Sequence, residues 1–106
     1  MKFKLTRTQI EGLYTFLGVA LRNDTKNILM LLLNELVHDI AEKVRKKSIK
    51  MGREFKPHTS ITLNPIEAKA LYVWFNTLCK NDELPDLYYE ITVMKMLSDH
   101  IQHEYV

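Results

Sequence analysis

The densest chemistry in the sequence lies between Lys43 and Lys56. Seven cations (Lys43, Arg45, Lys46, Lys47, Lys50, Arg53 and Lys56) stand there against one acid, Glu54, a local charge of +6. Cations at that density suit phosphate oxygens, and Lys46, Lys47, Lys50 and Arg53 are the candidate phosphate contacts. Two other uses compete. Cations late in a helix complement its C-terminal dipole, which needs no partner. A basic segment can also meet acids elsewhere: from Asn81 to Val106 six acids oppose one base, Lys95, a charge of −5. Those acids can be met within the fold or across a dimer. No aromatic series interleaves with the cations and no helix-turn-helix pattern precedes them. Nucleic-acid binding, if it occurs, is expected to be non-specific.

Histidines and carboxylates supply the other candidates. His100 and His103, flanked by Asp99 and Glu104, have the i, i+3 spacing of a divalent-metal pair. A polar helix end explains them equally well, and histidine suits a last helical turn. Carboxylate-bridged di-iron bundles place a Glu on two helices and a Glu-x-x-His pair on two others. Here Glu11, the Glu35–His38 pair and Glu67 begin that pattern, but His100 to His103 brings no Glu to complete it. His38 also projects away from the apolar seam, and Glu67 is explained as a capping residue. The acids Asp82, Glu83, Asp86 and Glu90 suit a helix start without marking a cleft. With three glycines there is no GxGxxG or GxxxxGK[ST] loop, and no nucleophile–base spacing stands out. The expectation is no enzyme, no cofactor and no resident metal. Cys79, the single cysteine, allows no intramolecular disulfide and reads as a small buried hydrophobe inside an apolar run.

The elements that carry these residues read as helices. In 106 residues, 46% hydrophobic and 26% charged, there is room for one domain. Thr6 and Gln9 make a capping box, followed by Ile10, Leu13, Leu17, Ala20 and Leu21 at helical spacing with Tyr14 beside them. Asn23-Asp24 ends this helix and caps the next. The second helix runs from about Thr25 towards Lys47, with Leu29, Leu32, Leu33, Leu36, Ile40 and Val44 inward. Residues 48–63 form a connection punctuated by Gly52 and Pro57, ending in the β-branched run Thr59 to Leu63. Asn64, Pro65 and Glu67 start the third helix, which carries Ala68, Leu71, Tyr72, Phe75, Leu78 and Cys79. Asn81-Asp82 ends it, and Pro85 opens the fourth, with Leu87, Ile91, Met94, Ile101 and Tyr105. The fold class is therefore all-α: a single helical domain of two antiparallel hairpins, at about 6–47 and 64–105.

The two hairpins resemble each other. An offset of 58 places Leu5 on Leu63, Leu13 on Leu71, Tyr14 on Tyr72 and Asn23-Asp24 on Asn81-Asp82, with Phe16 on Trp74 between them. Matching caps and ends favour an internal duplication. Related halves bring the segments before the first and third helices together. Residues 2–5 and 60–63 are thus predicted to pair as a minimal two-stranded ribbon, Phe3 matching Ile61.

The second and fourth helices carry more apolar residues than one face needs. Ile28 and Leu31 point away from the seam of the second helix. Tyr89, Val93 and Met96 lie opposite Leu87, Ile91 and Met94, and His100 continues that stripe. Either the N-terminal strand and the connection cover these faces, or they form a homodimer interface. The expected function is a non-enzymatic protein-interaction module, a homodimer or a subunit of a larger assembly. The alternative is non-specific nucleic-acid binding through residues 43–56. The longest apolar run, Ile28 to Leu33, is far shorter than a membrane span, and the N-terminus lacks a signal-length apolar stretch. A soluble cytoplasmic protein with no membrane partner is expected.

Overall fold

The structure is a computed structural model that describes residues 1–22 and 25–105. Its order is β1 (Lys2–Thr6), α1 (Arg7–Ala20), α2 (Ile28–Glu54), β2 (His58–Thr62), α3 (Pro65–Lys80) and α4 (Tyr88–Tyr105). The expected architecture of four helices and a two-stranded ribbon is present. Local chemistry explains the starts of α1, α2 and α3. The Thr6 hydroxyl accepts from the Gln9 amide at 3.3 Å while Gln9 Oε1 accepts from the Thr6 amide at 2.9 Å. Asn64 and Glu67 make the same reciprocal pair at 2.8 and 3.0 Å, with Pro65 in the first turn where its missing N–H is harmless. Asn27 caps α2, accepting from Leu29 and Met30 at 2.9 and 3.2 Å. The expected stop and cap at Asn23-Asp24 lies outside the described residues.

β1 and β2 pair antiparallel, with Phe3 opposite Ile61 and Lys2 opposite Thr62. Met1 and Leu63 extend the ladder, exchanging hydrogen bonds of 2.8 Å in each direction. Phe3, Leu5 and Ile61 turn into the core, while Lys2, Lys4 and His58 face out. α2 packs on α1 and α3, and α4 packs on the same two helices, so α2 and α4 occupy opposite corners. Across the other diagonal Phe16 meets Trp74 edge-on at 6.0 Å and Phe75 at 5.8 Å. Phe3 with Ile61 and Phe16 with Trp74 are both pairs of positions 58 apart. Every buried position of α1, from Ile10 to Ala20, has its offset partner buried in α3.

Several expectations are corrected. α2 does not end near Lys47 but continues to Glu54, and the connection shrinks to Phe55, Lys56 and Pro57. Its end is set by Pro57, which disfavours helical backbone at the preceding residue. The inward row of α2 is Met30, Leu33, Val37, Ile40, Val44 and Met51; Leu29 and Leu32 are exposed and Leu36 is half-buried. In a run that is apolar throughout, spacing alone does not choose the phase. Burial of Val37 and Met51 does. α4 begins at Tyr88 rather than Pro85, after a turn in which the Leu87 amide donates to the Pro85 carbonyl at 2.9 Å. Cys79 is exposed rather than buried, because Leu78 takes the inward position on that turn of α3. Enough protein still surrounds its thiol to push the pKa up, against the opposing pull of Lys95.

Candidate functional site

Two surfaces gather the residues singled out by sequence. The first is a groove between α2 and β2, of about 420 Å³, lined by Lys43, Lys46, Lys47, Lys50, Ile61 and Thr62. The lysines share it because i, i+3, i+4 and i+7 positions fall on one helical face. They belong to a helix where a loose connection was expected, so their spacing is set by the backbone. Arg53 continues the same stripe without lining the groove. Lys2, the cross-strand neighbour of Thr62, extends the basic surface over the ribbon.

Lys43 is committed within the fold. Its Nζ donates to Glu67 Oε1 at 2.7 Å and approaches the Thr62 carbonyl at 3.5 Å. Burial pushes the Glu67 carboxyl up, but hydrogen bonds from Lys43 and the Asn64 amide outweigh it and hold the pKa below the ordinary value. Arg45 pairs with Glu42 and Lys56 with Glu54. Among the described residues, Lys46, Lys47, Lys50 and Arg53 have no ion-pair partner. The suggested meeting of the basic segment with the acids of 81–105 therefore does not occur within one chain among these residues. Following α2 and α3 from Lys43–Glu67 to the Trp74–Asn34 hydrogen bond brings Asp82 level with the first turn of α2, at the far end from the groove.

The second surface is the first two turns of α2. Ile28, Leu29, Leu31 and Leu32 are 84%, 57%, 47% and 55% exposed, around the inward residues Met30 and Leu33. The matching stripe on α4 is not a free face. Val93, expected at an interface, is 3% exposed and packed against α1 beside Gly12. Met96 is half-buried against the core, its Sδ accepting from Gln9 at 3.9 Å. Tyr89 lies over Gly12, where an added Cβ would stand 3.0 Å from the ring, and its hydroxyl is 3.3 Å from that of Thr8. Of the large apolar side chains of α4, only Tyr88 and the outer half of Tyr89 are exposed. Because α2 and α4 stand at opposite corners, their outer faces cannot join in one flat interface. Sequence reading found Ile28 and Leu31 but missed Leu29 and Leu32, which the wrong phase of α2 had turned inward.

The metal candidates are not brought together. Glu11 is exposed and pairs with Arg7 at 3.4 Å, and Glu67 is held in its capping box. His38 lines a shallow groove beside Tyr14, Arg22 and Arg45, and the His100 ring lies 6.1 Å from that of Phe3. Among the described residues no three His, Cys, Asp or Glu side chains form a metal-ligating group. No described helix is long and apolar enough to cross a membrane. Comparison with protein-family models, curated proteins and solved structures finds no match to this chain.

Proposed function

We propose that this chain is a non-enzymatic interaction module that self-associates through the first two turns of α2. The observation that carries this reading is the cluster Ile28, Leu29, Leu31 and Leu32, four large apolar side chains left exposed side by side. Isolated exposed leucines are ordinary, but contiguous apolar patches on a small fold mark contact surfaces. A two-fold pairing presents the same patch from both copies, so one helix end suffices. Val93 and Met96, turned towards α1, contribute nothing to this surface, and Tyr89 serves packing against the same helix. We also read the two hairpins as an internal duplication, supported by the two capping boxes and the pairs 58 residues apart. An exposed, unpaired Cys79 fits a reducing compartment such as the cytoplasm.

Sedimentation across a concentration series tests the association. The native chain is expected to move from monomer towards dimer as concentration rises, and Leu31→Glu with Leu32→Glu to abolish the shift without unfolding the protein. A native chain that stays monomeric throughout overturns the proposal.

A further inference from the structure

We propose that the α2–β2 groove and Phe55 together form a track for single-stranded nucleic acid, with lysines on its phosphates and Phe55 beneath a base. The inference builds on the phosphate-contact residues and is independent of self-association at the other end of α2. Lys46, Lys50 and Arg53 recur about once per 5.4 Å helical turn, and with Lys47 they lack ion-pair partners among the described residues. Lys43 is spent on Glu67 and anchors the groove wall. The nearby acids Glu42 and Glu54 are occupied by Arg45 and Lys56.

Phe55 is the second, independent observation. It follows Arg53 by two residues, is 84% exposed, and has φ of 53° at the C-terminal cap of α2. That left-handed conformation is one glycine adopts freely and phenylalanine does not. The side chain therefore adds little to the folded core while occupying a position where glycine would serve the backbone better. An aromatic ring presented beside a row of unpaired cations is the combination that holds single strands: electrostatics follows the backbone and stacking holds the bases. A duplex keeps its bases stacked and offers Phe55 no face. An anionic membrane surface would call for a broad apolar face beside the cations, whereas on this part of α2 Val44 and Met51 are buried and only Ile49 and Phe55 are exposed.

The test titrates the full chain into labelled oligodeoxythymidylate of about 16 nucleotides, into a duplex of equal length, and into phosphatidylserine-containing vesicles, over a range of salt. The single strand is expected to bind best, with log affinity falling linearly in log salt. Lys46→Gln with Lys50→Gln should lower that slope by about 1.4, roughly 0.7 for each phosphate no longer neutralised. Phe55→Ala should weaken binding about tenfold with the slope unchanged, and Phe55→Trp should restore it. Thermal melts establish that each variant is folded. Absence of oligonucleotide binding at low salt, wild-type affinity in Phe55→Ala, equal binding of duplex, or binding to vesicles alone each overturns the proposal. Leu32→Glu separates the two readings: it should leave oligonucleotide binding intact whatever it does to self-association.

Discussion

Glu67 joins three requirements in one carboxylate. It closes the capping box of α3, accepts the Lys43 ammonium, and sits in a largely buried position whose cost those two contacts offset. Its folded-state pKa lies below the ordinary value. The stability it confers is therefore complete above the unfolded carboxylate pKa of about 4.3 and is lost as pH falls through the lower folded value. Glu67→Gln keeps the cap, as Gln9 does in the first box, but gives up the charge. The variant should be less stable than the native chain at neutral pH by about 1 kcal/mol, with a shallower loss of stability below about pH 5 in acid melts. Asn34 has a simpler duty, accepting the indole N–H of the fully buried Trp74 at 2.9 Å. Asn34→Ala should cost about 1–3 kcal/mol in denaturant unfolding, since it leaves that donor unmatched. Phe55→Gly should run the other way, gaining about 1 kcal/mol by relieving left-handed backbone.

At the scale of the element, α2 decides most of what sequence alone did not. Its 27 residues run the 40 Å length of the molecule, so a one-residue error in phase misplaces packing along all of it. Ile28 to Leu33 are all apolar, and any phase buries something suitable there. Further along, the alternation of Val37, Ile40 and Val44 with charged neighbours is unambiguous, and Met51 carries the row to the end. The phase has a direct test in equilibrium unfolding. Ile40→Ala should lose about 2–5 kcal/mol, whereas Leu32→Ala should change stability by no more than about 0.5 kcal/mol. The extension beyond Lys47 was hidden by Gly52 and by the run of cations. Both are tolerated because a single glycine costs little in so long a helix and the dipole favours positive charge in the last turns.

At the scale of the whole molecule, the unpaired cations and the exposed leucines of α2 are separated along the long axis. The unpaired lysines stand at the ribbon end, and the exposed leucines stand with the first turn of α2 at the other. Two partners can then bind without competing. The ribbon holds this arrangement because its antiparallel strands lead into α1 from one end and into α3 from the other, with Phe3, Leu5 and Ile61 buried beneath it. A ribbon of two short strands is marginal alone, so Phe3→Ala should destabilise the whole domain, by about 3–5 kcal/mol in a single cooperative transition. Separate unfolding of the ribbon before the helices would contradict that coupling.

What the chain's residues determined locally, they determined well. Helix starts follow from side-chain oxygens reaching backbone donors two or three residues away, and Thr6, Asn64 and Pro65 are legible without any knowledge of the rest. The pairing of the two strand segments was also readable, because the offset of 58 makes Phe3 and Ile61 equivalent, although their antiparallel register was not. What faces solvent was decided only in three dimensions. Val93 and Met96 are covered because α1 offers Gly12 and Gln9 to pack against them, and Leu29 and Leu32 are bare because, among the described residues, no element crosses the outer side of α2 there. Hydrophobic spacing specifies that a helix has an inner face; which partner lies against it, and where cover ends, depends on the packing of all four helices.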